Sequence, residues 1–198
     1  MLNDRSTALS LLQSRRSGRP RDLVAPGPDA AQLRVIFEIA MRTPDHGKLA
    51  PWRFVHVPSD ARGRLQALLE RAYRMDNAEP GRLEIEAIEK FARQAPTLVV
   101  ALFSPKAATR IPRWEQQLSC GAALMNLLLA AHACGFAAGW ITGWAAYSPA
   151  VLESFGSADE AIAGFVFIGT PAAALEERPR PAYDDIVSTW GAAPDFAA

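Results

Sequence analysis

Three short segments carry most of the side chains in this sequence that could do chemistry on a ligand. Arg15, Arg16 and Ser17 put two guanidiniums and a hydroxyl in a row, a donor set suited to gripping a phosphate through forked, charge-assisted hydrogen bonds. The plain alternative is a solvated basic turn at a helix C-terminus, where cations are favoured in any case. The second segment, residues 42–54, reads RTPDHGKLAPWRF. Its two prolines fix the path, so that Arg42, His46 and Lys48 could meet a phosphate or the polar edge of a ring; otherwise it is a helix stop followed by a core Trp. In the third, Trp140, Ile141 and Thr142 lie between Gly139 and Gly143, which place a large flat side chain where backbone can approach a ligand closely. A buried strand with a core Trp is the simpler reading of that segment.

These segments need elements to hold them. Ser6 or Thr7 caps a first helix with Ala8, Leu11 and Leu12 on one face, ending at the polar run 14–18. Asp29 with Gln32 opens a second helix in capping-box fashion, and Leu33, Ile36, Phe37, Ala40 and Met41 follow at helical spacing until Pro44 stops it. Residues 53–57 alternate as a strand. A third helix, opened by Ser59 or Asp60, carries Leu65, Leu68, Leu69 and Ala72, and a fourth from about Arg82 carries Ile85, Ile88 and Phe91.

Residues 97–103 are a continuous apolar run, the pattern of a strand covered on both faces. A long helix, apolar on every side, starts near Pro112 and ends at Gly135, which suits a left-handed cap. Two more buried strands follow at 136–142 and 161–169, separated by a short helix with Ser148 as its cap, Pro149 in its first turn and Gly156 after its end. Helices and apolar strands thus interleave, which predicts one layered α/β or α+β domain over residues 1–198, with a mixed central sheet flanked by helices. The tail after Pro171 reads as extended or wrapped on a partner.

Composition narrows the partners. Lysine plus arginine equals aspartate plus glutamate at 21 each in 198 residues, leaving no global field to favour nucleic acid or an anionic membrane. The first twenty residues have no long apolar run or cleavage pattern, which predicts a cytoplasmic protein. Cys120 and Cys134 belong to no CxxC pair, and on one helix they would stand roughly 20 Å apart, too far to bridge. Between Cys120 and Ile141 only Asn126 and His132 interrupt an apolar run, but its glycines break it where a membrane span would continue. A helix apolar all round needs neighbours all round, and a dimer interface supplies them better than a small monomer. Dinucleotide-binding, phosphate-loop and nucleophile-elbow signatures are missing, and the three histidines share no metal-ligand spacing.

Taken in order, the segments resemble the nitroreductase family, most closely a small-subunit branch with a Pro-Asp-His turn. The resemblance is carried by Arg15-Arg16-Ser17, by Met41 to His46 with Pro51 to Phe54, by Ile111 to Gln116 opening the long helix, and by Ile168-Gly169-Thr170-Pro171 ending the last long strand. It implies a nitroreductase-like fold and a homodimer binding flavin mononucleotide (FMN) where the subunits meet. By that resemblance Arg15, Arg16 and Ser17 contact FMN from one subunit, Arg42 and His46 reach it from the other, and Trp140, Ile141 and Thr142 line the same site. Hydride would pass from NAD(P)H through the flavin to a small-molecule acceptor such as a nitroaromatic or quinone, with no general acid or base from the protein and with Arg15, Arg42 and Lys48 stabilising the negative charge that develops. One position departs: relatives in this branch can carry Arg where this chain has Ile141, so Ile141 contributes through its backbone or by packing. Two other readings stand beside this one, a flavin-binding sensor without turnover and a DNA-binding arm over residues 14–21.

Overall fold

The computed structural model describes residues 1–191. Eight helices and five strands are found there: α1 (Ala8–Ser14), β1 (Leu23–Val24), α2 (Ala30–Ala40), β2 (Trp52–Val57), α3 (Arg62–Asp76), α4 (Arg82–Arg93), β3 (Thr97–Phe103), α5 (Arg113–Ala133), β4 (Ala137–Ile141), α6 (Trp144–Tyr147), α7 (Pro149–Leu152), β5 (Ala161–Pro171) and α8 (Tyr183–Ile186).

Local chemistry starts and stops them where the residue types suggest. Thr7 caps α1 by accepting from the Ser10 amide. Asp29 accepts from the Gln32 amide at 2.8 Å while Gln32 accepts from the Asp29 amide at 3.0 Å, a reciprocal box that satisfies donors at the start of α2. At the end of α5, Gly135 adopts φ +97, and the Phe136 and Gly135 amides turn back onto the Ala131 and His132 carbonyls. Ser148 precedes α7 as expected, but its hydroxyl makes no cap bond; an additional single turn, α6, comes before it.

β5 is the longest strand and the middle of the sheet. It pairs with β3 on one side and β4 on the other, β3 pairs with β2, and β1 joins the far end of β5 at Thr170 and Pro171. The interleaved α+β architecture agrees with the sequence, but the sheet is not mixed: every pairing among the described residues is antiparallel. The reason lies in the connections. A single crossover helix returns a chain for parallel pairing, whereas α3 and α4 run out and back as a pair, so β3 begins at the end of the sheet where β2 finished.

Both faces of the sheet are covered. Leu65, Leu69 and Ile88 of α3 and α4 pack on Leu98, Val100 and Phe167, with Phe91 edge-on to Phe165 and Phe167 at 5.1 and 5.4 Å. Opposite them, Ile36 of α2 and Leu127 and Ala131 of α5 pack on Val99, Val166 and Ile168. This accounts for the unbroken apolar run of β3, whose every residue is buried. No helix among the described residues is long and apolar enough to cross a membrane. The tail beyond Pro171 has no helix or strand up to α8 and meets its own chain, where Glu176 contacts Arg16 and Arg19 and Arg180 contacts Arg15.

Candidate functional site

Arg15 stands at the C-terminal cap of α1, where the chain leaves the helix and runs along the outer edge of β4. The Gly18 amide donates to the Ala138 carbonyl at 3.0 Å. That approach requires a glycine at 139, because a Cβ there would collide with the Gly18 carbonyl and touch Pro20. The first and third segments, far apart in sequence, are therefore one surface. Asn3 fixes the loop from outside, accepting from the Arg16 amide at 2.7 Å and donating to the Arg16 carbonyl at 3.1 Å.

The side chains of that loop form a cationic cradle. Arg15 Nη2 donates to Ser17 Oγ at 3.0 Å. Arg16 Nε donates to the Glu176 carbonyl at 2.6 Å, and Arg180, 165 positions along the chain, reaches the Arg15 carbonyl at 3.5 Å. Burial lowers the pKa of Arg15, and the like charges of Arg180 and Arg16 lower it further against the opposing pull of Glu177. Guanidiniums crowded in this way favour an anion between them.

The third segment lies beside the cradle. Trp140 donates its indole N–H to the Ala163 carbonyl at 3.0 Å and lies over Gly164, where a Cβ would run into the ring; 39% of the residue stays exposed. Ile141 pairs with Phe165 through its backbone and packs its side chain on the face of the sheet shared with α3 and α4. Thr142 is exposed and, with Gly143, Tyr73, Phe91 and Trp144, lines an apolar cavity of about 280 Å³ between α3, α4 and α6. Gly143 sits at φ +124 with open space where a side chain would be, a backbone free to take a ligand.

The second segment is elsewhere. Asn126 of α5 holds it by donating to the Arg42 carbonyl at 3.1 Å and Thr43 Oγ1 at 2.8 Å, and Ser119 donates to the Pro44 carbonyl at 2.6 Å. His46 Nδ1 lies 2.7 Å from Glu115 in the first turn of α5. Beside Gly47, Lys48 and Ala50 have positive φ, a costly backbone for residues with a side chain, held in part by Asp45 accepting from the Ala50 amide at 2.7 Å. Both Arg42 and His46 are exposed. Arg15 lies near His132 in the last turn of α5, so it and His46 stand toward opposite ends of that helix, roughly 25 Å apart along its axis. One chain does not bring these two segments together.

The outward face of α5 is apolar. Trp114 and Leu118 are 66% and 54% exposed, and Ala122, Met125 and Leu129 continue the stripe at intervals of three and four residues. α1 and α2, both packed on α5, add exposed Leu9, Leu12 and Ile39, with Met41 just past the end of α2.

The nitroreductase family model matches residues 12–170, from the middle of α1 to the end of β5. The chain belongs to the nitroreductase family. It is 40% identical over 166 residues to a candidate NAD(P)H nitroreductase of Haemophilus influenzae, covering 82% of this chain and 88% of that one. It is 36% identical over 168 residues to the candidate NAD(P)H nitroreductase YdjA of Escherichia coli, covering 83% and 88%. In fold it is similar to the crystal structure of a nitroreductase with bound FMN from Bacteroides fragilis, at TM-score 0.67 and 23% identity, covering 91% of this chain and 97% of that one.

Sequence reasoning missed two participants within this nitroreductase fold. Arg180 joins the cradle only because the tail doubles back; its signal was the Arg-Pro-Arg-Pro run at 178–181, two guanidiniums on a proline-stiffened extended stretch. Asn3 gave no signal, since one polar residue before a helix is ordinary.

Proposed function

We propose that this nitroreductase-family chain is an FMN-dependent oxidoreductase that takes hydride from NAD(P)H and reduces nitroaromatic, quinone or similar conjugated acceptors. The observation that carries the reading is the cradle of Arg15, Arg16, Ser17 and Arg180 laid against β4. Its donor set, three guanidiniums and a hydroxyl, fits a phosphate monoester, and the exposed Trp140 and Thr142 and the open backbone at Gly143 fit the edge of a flat ring nearby. Bound there, FMN would supply the two-electron redox chemistry that links the reduced dinucleotide to the acceptor.

The chain's own residues bind, orient and shield. Arg15, Arg16, Ser17 and Arg180 hold the phosphate, while Trp140, Ile141 and Thr142 wall the ring, Ile141 through backbone and packing. Arg42 and His46 complete the site from a second copy, because the first copy holds them far along α5. A homodimer through the apolar stripe of α5 supplies that copy and removes the stripe from water. The apolar cavity behind Thr142 suits an aromatic acceptor better than a charged one. The basic stretch at 14–21 is laid on the sheet edge and engaged by the tail, which supports a small-molecule ligand over nucleic acid. Two free cysteines, one buried, suit the cytoplasm.

Donor and acceptor use one pocket in turn. Initial rates measured across a grid of NADPH and quinone concentrations should therefore give parallel double-reciprocal lines; lines that intersect, the mark of a ternary complex, would contradict this scheme.

A further inference from the structure

His132, in the last turn of α5, is fully buried. Its Nδ1 lies 3.2 Å from the Phe136 carbonyl. A carbonyl only accepts, so Nδ1 carries the hydrogen and Nε2 is left as a bare lone pair. Burial, chiefly, keeps the ring neutral by pushing its pKa down to about 4; the bond to Phe136 opposes the shift and the charge of Arg15 adds to it.

Four enclosed side-chain nitrogen or oxygen atoms among the described residues have no hydrogen-bond partner: Arg15 Nε, Arg62 Nη2, His132 Nε2 and Ser148 Oγ. Two of the four are complementary, and the Arg15 charge lies close enough to act on the His132 ring. Arg15 Nε–H is a donor without an acceptor, and His132 Nε2 is an acceptor without a donor. Buried polar atoms are rarely left unpaired, and unsatisfied ones concentrate where a ligand or a second state completes the network.

We propose that His132 is a positioning residue for the cofactor cradle, its Nε2 accepting from Arg15 Nε–H when the flavin phosphate is bound. The bond would fix the plane of the guanidinium and leave the Nη1 and Nη2 edge free for the phosphate, with Ser17 steadying Nη2. The inference rests on the reading that Arg15 holds the phosphate of FMN. A neutral ring suits this task where a cationic one does not. A cavity of about 290 Å³ beside His132 is lined by Met1, Asn3 and Arg5 and by no carboxylate, so the charged side chains around the ring, Arg5 in the cavity wall and Arg15 acting on the ring, are cationic.

Two substitutions separate this role from simple capping of α5. In His132→Asn the side-chain amide replaces Nδ1 and keeps the bond to Phe136 but offers nothing at Nε2. In His132→Gln the terminal oxygen replaces Nε2 and the Phe136 bond is lost. FMN titrated into flavin-free protein should bind about 10-fold more weakly to His132→Asn, the worth of one hydrogen bond to a charged group, at an almost unchanged melting temperature. His132→Gln should melt lower yet bind within about threefold of the parent. In an Arg15→Ala background, His132→Asn should weaken binding no further.

Parent-like affinity in His132→Asn, or independent addition of the two effects, overturns the proposal. If Arg15→Ala itself leaves FMN affinity unchanged, it is the phosphate reading that fails. Should the variants not fold, the Nε2 nitrogen resonance of His132 in the unsubstituted protein decides: it should move toward the hydrogen-bonded position when FMN is added, and a resonance that stays put rejects the bond.

Discussion

Arg15 is the residue on which the proposed site turns, because it combines partial burial with like-charged neighbours on either side in sequence and space. Replacing it with Ala removes a charged donor from the cradle, and such bonds contribute about 1.5–3 kcal/mol. FMN affinity should fall by roughly 10- to 100-fold on that scale, read by quenching of flavin fluorescence; unchanged affinity would remove Arg15 from the site. His132 makes a different prediction. Its folded pKa of about 4 lies below the ordinary 6.5, so as pH falls through 6.5 the unfolded chain takes up a proton that the folded chain refuses. The stability it contributes is complete above pH 6.5 and is lost progressively toward pH 4, about 3 kcal/mol in all. Urea unfolding at pH 7 and pH 5 should show this loss in the parent and less of it in His132→Gln; equal losses would contradict it. At this scale the sequence disclosed the Arg-Arg-Ser run and the Pro-Asp-His turn, since each is a local cluster. Arg180 was hidden because its partner is 165 positions away, and His132 showed only as an interruption of an apolar run.

Elements were legible where a period or a cap announced them. The capping box of α2, the all-buried β3 and the glycine end of α5 follow from spacing and residue type alone. The direction of pairing in the sheet did not, because apolar runs carry no sign of whether the helices between them cross over or double back. Nor did β1, since two residues are too few for a pattern. The contact that unites two of the three segments is also a backbone matter: Gly139 lets the Gly18 carbonyl approach β4. Replacing Gly139 with Ala should force the 15–20 loop off the strand edge and break the Gly18 to Ala138 bond. The cost expected for such overpacking is about 1–3 kcal/mol, together with weaker flavin binding. A thermal melt and an FMN titration check both, and a variant that matches the parent in each would mean that the close approach does not matter.

At the scale of the whole molecule the proposed function needs a shared site, with the cradle from one copy, Arg42 and His46 from another, and the apolar stripe of α5 between them. The sequence suggests an interface from a helix apolar on every side, but which residues face outward required the packing of α1, α2 and the sheet around α5. Leu118, a large side chain of that stripe that is 54% exposed, is the place to break it. Replacing Leu118 with Arg should halve the mass seen by light scattering and release flavin along with the partner; a variant that stays dimeric, or a monomer that keeps its flavin, would argue against a shared site. The most direct measurement is the visible absorbance of the purified protein before and after anaerobic addition of NADPH or NADH. A yellow protein whose flavin bands bleach on addition is the expected result, and a colourless one that refuses added FMN would contradict the proposed function.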